Sequence, residues 1–344
     1  MNILVLCGGE SAERVVSWAS GDAVANWIAQ AGHRVMKYDP EKIGAFKAAD
    51  EPLAPPEIGL AAPLPSHRNG YNPTTVRGIL EAIDQIKPDV IFPILHGGRG
   101  EDGTLQALLE WINVPFTGSG SLSCGLAMDK RLTRELFAAH GIPITAGFAV
   151  RQDQLADAAF VTREIEAKMG FPVVVKPVHG GSTVGLTKVM DAAGLGDALK
   201  AVAQQQDDAL IEDLFEGREL TVTVVDGEAY PVIEIRPKVG FYDYANKYTS
   251  GRTEYLCPAP LDEAIAVRLQ EAAVSAFDTL QCEGFARVDF LLNVRNEFIC
   301  LEVNTLPGMT LHSLVPKAAR ANGEEPPVLM QRIIDCAVRK FKTA

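Results

Sequence analysis

The sequence predicts an α/β protein built around parallel strands, and two stretches carry the prediction. Residues 3–7 form an apolar run that is followed by a glycine pair at 8–9 and a helical pattern at 11–30. Residues 90–95 repeat this pattern, because an apolar run leads into a glycine-rich loop and the helical segment 104–112. A strand, a glycine turn and a helix in this order form the opening unit of a parallel α/β sheet.

The stretch between these two units, residues 40–75, contains many Pro and Ala residues and shows little periodicity. We interpret it as a long surface excursion of the first domain. We expect this N-terminal α/β domain to end near Thr117, so that it spans residues 1–117.

Two further domains are predicted, at residues 118–215 and 216–344. For the central one we expect a helix near 129–140, two strands around the glycine-rich loop of FPVVVKPVHGGSTVGLTKV, a helix in AGLGDALKAVAQQQ and a strand in ALIEDLF. For the C-terminal one we expect strands at 219–226 and 229–236, a polar loop FYDYANKYTSGRTEY, a helix at 262–280, a hairpin at 287–310 and a helix from about 327 to 341.

Composition and charge exclude several classes of protein. The formal net charge is −12 and Lys or Arg runs are absent, which argues against nucleic acid as the main partner. The six cysteines form no C-x-x-C pair, so buried reduced thiols are favoured over disulfides or a zinc site. The first residues lack the features of a signal peptide, and no segment approaches the ~20 apolar residues of a membrane span. We therefore expect a soluble, cytoplasmic protein without a membrane partner.

The hairpin RVDFLLNVRNEFICLEVNTLPGMT places four strongly polar groups within apolar strands, namely Arg287, Asp289, Glu302 and Asn304. Side chains alternate between the two faces of a strand. If the loop spans 293–296, Arg287 lies opposite Glu302, and Asp289 lies one diagonal step from Glu302. All four groups would then meet on one face.

Two interpretations of this polar face are open. A buried Arg–carboxylate pair with an Asn at the strand end would leave one carboxylate over, and an unpaired buried charge is very costly. The other interpretation is a cluster of hard oxygen ligands. Two carboxylates and an amide suit Mg²⁺, which usually shares its coordination shell with substrate phosphates. The second interpretation predicts a metal–nucleotide site.

The segment VKPVHGGSTVG combines Lys176 with a glycine turn at 180–181. Consecutive backbone N–H groups of such a loop can bind phosphates, with a lysine adding charge. The segment is not a Walker A loop, because no G-K-[ST] and no helix follow the glycines. A plain hairpin turn is the alternative. Lys130, at a helix start, is likewise a candidate phosphate ligand or an ordinary surface lysine.

Taken together, the motifs resemble the ATP-grasp superfamily and, within it, the D-alanine–D-alanine ligases. The resemblance covers nearly the whole chain, and eight motifs occur in the family's order. They are GGESAERVVS (8–17), LHGGRGEDGTLQ (95–106), AMDK (127–130), VVVKPVHGGSTVG (173–185), LIEDLFEGRELTV (210–222), FYDYANKYTSGRTEYLCPAPL (241–261), ARVDFLL (286–292) and LEVNTLPGMTLHSLVP (301–316).

This resemblance implies three α/β domains, with ATP between the second and third and the amino acids facing the first. By motif match, Glu212 and the backbone near Leu214 would hold adenine, and Glu219 the ribose. Lys130 and Lys176 would hold phosphates.

The family chemistry implied is ATP-dependent ligation of two D-alanines through an acyl phosphate, for peptidoglycan precursor synthesis. Two Mg²⁺ (or Mn²⁺) ions would be bound by Asp289, Glu302 and Asn304. Lys247, in the loop FYDYANKY, would screen the repulsion between the substrate carboxylate and the γ-phosphate. The family also implies a homodimer formed through the first domain.

The resemblance assigns the amino-acid site as well. Glu13 would pair with the first substrate's ammonium, although a carboxylate at this position would otherwise be interpreted as a helix cap. Arg287 and the backbone N–H of Gly308 would stabilise the oxyanion. Ser313 and the backbone at Leu314 would hold the second substrate's carboxylate.

Three further residues complete the assignment. Ser182 and Tyr248 would join Glu13 in a network that locks the lid, and His96 would lie near the reacting carboxyl. The triplet Val178-His179-Gly180 departs from the Ser-Arg-Glu-like triplet of many relatives. A lid tyrosine beside Lys247 favours an amine as the second substrate, so we predict that replacing Tyr248 shifts products toward a depsipeptide.

Other functions stay open at this point. A related ATP-grasp ligase could join other amino acids. It could act in secondary metabolism, or it could form a dipeptide of D-alanine with a different second residue (D-Ala-D-X). A non-catalytic nucleotide-binding homologue would be expected to lose a metal ligand, Arg287 or Lys247, all of which are present. A nucleotide-binding oxidoreductase would need G-x-G-x-x-G after the first strand. The segment GGESAER lacks the second and third glycines of that motif.

Overall fold

The structure is a computed structural model that describes residues 1–11, 13–42, 45–53, 73–181, 184–238 and 252–343. Within these ranges, no helix combines the length and the apolar character needed to span a bilayer. The strands of these residues form three sheets, and each is built from one consecutive part of the sequence.

The first sheet has the strand order β3-β2-β1-β4. Its strand β1 runs parallel to β2 and β4, while β3 is an antiparallel edge strand. The elements are β1 (Asn2–Leu6), α1 (Arg14–Gln30), β2 (Arg34–Tyr38), β3 (Phe46–Ala48), α2 (Pro73–Ile86), β4 (Val90–Pro93) and α3 (Thr104–Trp111). Both strand–turn–helix units of the sequence prediction are confirmed. The helix α1 begins at Arg14, three residues later than predicted.

Both faces of this sheet are covered, which explains why its strands are continuous apolar runs. Ile3 and Val5 of β1 pack in one cluster with Ile28 of α1 and with residues of the C-terminal helix such as Ile333. Leu4 and Leu6, on the opposite face, pack in a second cluster together with α2 and α3.

The second sheet has the order β5-β8-β6-β7, with every pair antiparallel. Its elements are α4 (Ser121–Met128), α5 (Lys130–Ala139), β5 (Gly147–Val150), α6 (Ala158–Lys168), β6 (Val173–Pro177), β7 (Thr187–Val189), α7 (Ala192–Ala203) and β8 (Ala209–Asp213). The predicted pair of strands around the glycine-rich loop is confirmed as β6 and β7. Asp129, Asp157 and Asp191 cap α5, α6 and α7 through their side chains, a common way to satisfy free N–H groups at helix starts.

The third sheet has the order β12-β11-β9-β13-β14, and β10 pairs with β9. The elements are β9 (Arg218–Val225), β10 (Glu228–Ala229), β11 (Ile233–Pro237), β12 (Thr253–Leu256), α8 (Glu263–Thr279), β13 (Phe285–Leu292), β14 (Phe298–Asn304), α9 (Leu314–Ala321) and α10 (Pro326–Thr343). The strand predicted at 229–236 is divided into β10 and β11. Ala286, Val288 and Phe290 lie in a core cluster with α8, as the alternation of β13 predicts.

The predicted register of the hairpin is wrong. Arg287 lies opposite Asn304 and not opposite Glu302, which faces Asp289. The loop is one residue longer than predicted, because Leu292 pairs with Phe298. The ladder then shifts between Asp289 and Phe290, so that Leu301 is the extra residue of a β-bulge.

The predicted surface excursion at 40–75 also needs correction in part. Residues 46–48 form the edge strand β3, and α2 begins at Pro73. Residues 54–72 of this stretch lie outside the described residues.

Candidate active site

The polar side chains of the hairpin lie on one face of the third sheet. Asp289 lies opposite Glu302, and Arg287 lies opposite Asn304. Residues that face each other in an antiparallel pair have Cβ atoms about 5 Å apart. The four groups are therefore neighbours, which confirms that they share a face although their pairing differs from the prediction.

Asp289 is buried and is held by two other polar residues. Arg287 donates from Nε to Asp289 Oδ1 at 2.9 Å and from Nη2 to Oδ2 at 2.8 Å. The hydroxyl of Thr221, on β9, donates to Oδ1 at 2.6 Å. A buried Arg–carboxylate pair is thus part of the arrangement. Glu302 supplies a second carboxylate next to that pair.

The donor set fits a hard cation that shares its ligands with phosphate. Within the described ranges, no group of three or more His, Cys, Asp or Glu side chains could hold a metal ion by itself. Asp289, Glu302 and Asn304 instead supply two carboxylates and one amide oxygen, which are donors suited to Mg²⁺. Asn304 Oδ1 accepts the N–H of Leu306 at 3.0 Å and keeps a second lone pair.

Lys130 connects this face to the glycine-rich loop. Its ammonium donates to the carbonyl of Gly180 and lies 3.7 Å from Glu302 Oε2. Burial lowers the pKa of Lys130, and the charge of Glu302 opposes that effect. The side chain is only 12% exposed, so Lys130 is not an ordinary surface lysine.

Lys176 and Glu212 form a second charged cluster nearby. The carboxylate of Glu212 lies between the ammonium of Lys176 and the guanidinium of Arg134. Burial disfavours charge on Glu212, but Lys176 and then Arg134 hold the pKa of its carboxyl below the usual range. The structure therefore pairs the predicted adenine ligand Glu212 with the predicted phosphate ligand Lys176.

The other two predicted nucleotide contacts lie close in sequence to this cluster. The N–H of Leu214 donates to the carbonyl of Pro172 at 3.2 Å. Glu219 lies on β9, where it pairs with Leu291 of β13 and Ile235 of β11. Their roles toward adenine and ribose stay predictions.

Glu13 occupies the position that precedes α1, and its side chain does not cap the helix. The hydroxyl of Ser11 accepts the Glu13 N–H at 3.1 Å and donates to the carbonyl of His96. A Cβ built on Gly97 would lie 3.5 Å from Glu13 Oε2, which places this carboxylate against the turn that follows β4. The alternative interpretation of Glu13 as a capping side chain is therefore not supported.

His96 is buried and connects the first domain to the loop that carries Gly308. Its Nδ1 lies 3.1 Å from the carbonyl of Leu306, so Nδ1 carries the proton in a neutral ring. Its Nε2 accepts from Ser20 Oγ at 2.9 Å, and Ser20 Oγ in turn accepts the N–H of Met309 at 3.3 Å. Burial lowers the pKa of His96, which keeps the ring neutral and preserves this chain of bonds.

Glu101 also lies at this junction. Its Oε2 accepts the N–H of Gly97 at 2.8 Å. Burial raises the pKa of Glu101 to about 7, and the charge of Glu13 adds to the effect. Glu13 and Glu101 therefore interact electrostatically beside the turn, and this interaction favours the protonated form of Glu101.

The predicted site for the second substrate lies in the segment after β14. Ser313 Oγ accepts the N–H of Thr310 at 2.8 Å, and a Cβ on Gly308 would lie 3.1 Å from the same hydroxyl. Leu314 is the first residue of α9, whose first N–H groups have no partner within the helix. The structure thus brings Gly308, Ser313 and Leu314 together at a helix start.

Three predicted residues, Ser182, Lys247 and Tyr248, lie outside the described residues. Other contributors were missed by the sequence interpretation. Thr221 had a signal, because it alternates with Glu219 on a strand. Ser20 and Arg134 had none, because each acts through a partner at least 76 positions away in the chain.

Comparison with known families covers nearly the entire chain. Residues 2–119 match the family described as D-ala D-ala ligase N-terminus, and residues 136–335 match D-ala D-ala ligase C-terminus. The D-alanine--D-alanine ligase of Syntrophotalea carbinolica is 40% identical over 333 residues, which cover 96% of this chain and 94% of the relative. The enzyme of Marinomonas sp. is similar to the same extent.

Solved structures show the same likeness. A D-alanine--D-alanine ligase from Bacillus anthracis, complexed with ATP, has a TM-score of 0.77 and 29% identity, covering 100% of this chain and 98% of its own. The VanG D-Ala:D-Ser ligase of Enterococcus faecalis has a TM-score of 0.75 and 27% identity, covering 98% of this chain and 99% of its own.

Proposed function

The chain belongs to the D-alanine–D-alanine ligase family, and from this premise we propose that it joins two D-alanines to D-alanyl-D-alanine with hydrolysis of ATP to ADP. The product would serve as a precursor of peptidoglycan. The observation that carries the proposal is the Asp289–Glu302 pair with the Lys130 ammonium 3.7 Å from Glu302. This arrangement concentrates oxygen ligands and a cation where a polyphosphate would need both.

The first step is attack of a D-alanine carboxylate on the γ-phosphate, which forms an acyl phosphate and releases ADP. Lys130 and Lys176 would bind phosphate oxygens, since both ammonium groups lie next to the glycine-rich loop or its strand. Asp289, Glu302 and Asn304 would hold two Mg²⁺ or Mn²⁺ ions, which would neutralise charge on the phosphates. For Lys247 the support is the family motif alone.

In the second step the amine of the other D-alanine attacks the acyl carbon, and inorganic phosphate leaves. Negative charge develops on the acyl oxygen, and fixed N–H donors stabilise it; one such donor is typically worth roughly 3–4 kcal/mol of barrier. Arg287 is suited to this role, because its bidentate bond with Asp289 fixes the guanidinium plane. The N–H of Gly308 would be the second donor.

Two groups of residues would hold the amino acids. Glu13 would bind the ammonium of the first D-alanine, together with Ser182 and Tyr248 in the lid network. Ser313 and the N–H of Leu314 would bind the carboxylate of the second. A helix start suits a carboxylate, since its N–H groups are unpartnered and the helix dipole is positive there.

A second candidate is a ligase that accepts D-serine or another residue as its second substrate. The likeness to a D-Ala:D-Ser ligase supports it, at 27% identity. The 40% identity to ligases named for D-alanine alone favours the first proposal.

The chain is also proposed to work as a homodimer in the cytoplasm, where ATP is available. The support for the dimer is the resemblance to the family alone. Sedimentation velocity would test this, and a monomer at micromolar concentration would contradict it.

The decisive experiment is incubation with ATP, Mg²⁺ and D-alanine, followed by identification of the products. We expect one ADP and one phosphate for each D-alanyl-D-alanine formed. Parallel reactions with D-alanine plus D-serine or D-lactate separate the second candidate from the first. Release of phosphate without any dipeptide, or no release at all, would contradict both.

A further inference from the structure

We propose that Asp39 is a positioning residue for the first D-alanine, because it holds both ends of the loop that carries Glu13. The inference rests on the proposed function, in which Glu13 binds the substrate ammonium. Asp39 follows β2, the strand next to β1, and its side chain is 1% exposed. It belongs to none of the motifs that point to the family.

Asp39 is surrounded by hydrogen-bond donors. Its Oδ1 accepts the N–H groups of Gly9 and Glu41, each at 3.0 Å. Its Oδ2 accepts Arg14 Nε at 3.2 Å, Arg14 Nη2 at 2.7 Å and Trp18 Nε1 at 2.8 Å. A carboxylate offers about four lone-pair positions, and five N–H groups fill them. Asp39 therefore acts through its neighbours and does not bind substrate itself.

The glycine turn packs directly onto this carboxylate. Gly8 has φ +88°, and a Cβ there would lie 2.5 Å from Asp39 Cγ. The Gly8 N–H donates to Ser17 Oγ at 2.7 Å, and Ser17 Oγ donates to the carbonyl of Ile94 at 2.5 Å. The turn after β1 is thus held by Asp39 on one side and by α1 and β4 on the other.

Glu13 lies within the loop that Asp39 closes. Gly9, at one end, gives its N–H to Oδ1, and Arg14, at the other end, gives its guanidinium to Oδ2. Only residues 10–13 lie between these anchors. Glu13 directly precedes Arg14, so the bond from Arg14 to Asp39 restrains the backbone of Glu13, whose carboxylate faces the Gly97 turn.

An amide at position 39 would break this arrangement without changing its volume. In Asp39→Asn, an NH₂ group replaces either Oδ1 or Oδ2 and faces the N–H donors that bonded that oxygen. The substitution also leaves Arg14 without its ion-pair partner. Displacement of a binding group by about 1 Å can cost up to about 100-fold in rate. We expect the apparent dissociation constant of the first D-alanine to rise at least about 10-fold. The KM for ATP should change less than about twofold, since the ATP site lies in other domains.

Asp22→Asn is the matched control. Asp22 lies on α1, pairs with Lys37 at 2.6 Å and accepts the N–H of Leu53 at 3.0 Å. Like Asp39, it is a carboxylate of the first domain that binds a cationic side chain and accepts a backbone N–H. We expect Asp22→Asn to lower the unfolding temperature while the constant for the first D-alanine stays within about twofold.

Trp18→Phe provides a milder second variant in case Asp39→Asn does not fold. It removes one donor to Oδ2 and keeps an aromatic ring beside Arg14, whose guanidinium carbon lies 4.9 Å from the ring centroid. We expect a rise of about 2- to 5-fold in the same constant, with kcat nearly unchanged.

The measurement is phosphate release as a function of D-alanine at saturating ATP, fitted to two binding events, alongside thermal unfolding of each variant. The inference is overturned if Asp39→Asn and Trp18→Phe leave the apparent dissociation constant of the first D-alanine unchanged. It is also overturned if Asp22→Asn raises that constant as much as Asp39→Asn does. Failure of the proposed function is a separate outcome, because the wild-type protein would then form no dipeptide and Glu13→Gln would have no effect on D-alanine binding.

Discussion

Asp289 and Glu302 face each other across the β13–β14 ladder only because Leu301 forms a bulge between them and the hairpin loop. Near the loop, Phe298 and Cys300 point into the core with Phe290. A regular ladder would continue this alternation and point Glu302 into the same core. The extra residue reverses the alternation, so that Val303 enters the core and Glu302 joins Asp289 on the polar face.

Asp289→Asn should reduce kcat by at least about 100-fold while the protein stays folded. The amide keeps the volume but loses the negative charge that pairs with Arg287 and that the proposed metal site needs. Phosphate release at saturating substrates measures the effect. Asp197→Asn is the control, since that carboxylate is 90% exposed and pairs with Lys200 on α7. Full turnover by the Asp289 variant would remove the basis for a metal site on the hairpin.

Arg287→Lys should lower kcat by about 100- to 1,000-fold with little change in the KM for ATP. Lysine keeps the charge but cannot make the bidentate bond with Asp289 or present a second fixed donor to the oxyanion.

Arg218→Lys is the matched control for Arg287→Lys. Arg218 makes the same kind of bidentate bond, from Nε and Nη2 to Glu234 at 2.9 and 2.6 Å, on the neighbouring strand β9. We expect it to lose stability but to keep kcat within about threefold. Equal losses of kcat in both variants would show that Arg287 serves only the sheet.

Glu101→Gln should remove one contribution to stability that decreases as pH rises. The pKa of Glu101 is raised by burial from 4.5 to about 7, so the folded chain holds a proton that the unfolded chain releases. Glu101 therefore contributes stability below pH 4.5 that is lost as pH rises through 7, by about 1–3 kcal/mol for a partly exposed carboxyl. Glutamine still accepts the Gly97 N–H and carries no charge.

Urea unfolding of both proteins at pH 4.5, 6 and 8 measures this effect. The free energies of unfolding should agree at the lowest pH, and the variant should be the more stable protein at the highest. A constant difference across the three pH values would contradict the prediction.

His179→Ala should raise the KM for ATP by about 5- to 10-fold and leave both D-alanine constants unchanged. The ring donates from Nδ1 to Asp207 Oδ1 at 2.8 Å, and Nε2 lies 3.6 Å from Asp129 Oδ2. These contacts fix the start of the glycine-rich loop. Without them, ATP binding would have to order this part of the loop, which weakens the affinity for ATP.

His140→Ala is the control for the loop, because His140 is exposed and its Nδ1 bonds the carbonyl of Leu136, in the helix that it follows, at 2.9 Å. The KM values come from initial rates at varied ATP. An unchanged KM for ATP in the His179 variant would show that the loop is ordered without this histidine.

Much of the architecture followed from local patterns. The apolar runs before Gly8 and Gly97 predicted parallel strands. The alternation in β13 predicted that the neighbours of Arg287 and Asp289 face the core while these two side chains lie on the opposite face. These signals lie within a few residues, where the period of a strand and the conformational freedom of glycine act directly. The domain boundaries stay a prediction, as do the roles of Ser182, Lys247 and Tyr248.

By itself, the sequence determined the strand–turn–helix units, the set of polar groups on the hairpin and the family to which the chain belongs. Only the tertiary structure decided which of these groups meet: the bulge at Leu301, the bonds between Asp39 and Gly9, and the bond from Met309 to Ser20 across 289 positions. The reason is physical. Side-chain periodicity is a property of neighbouring residues, whereas contacts between distant segments depend on how whole sheets and helices pack, and that packing is encoded by no single stretch of chain.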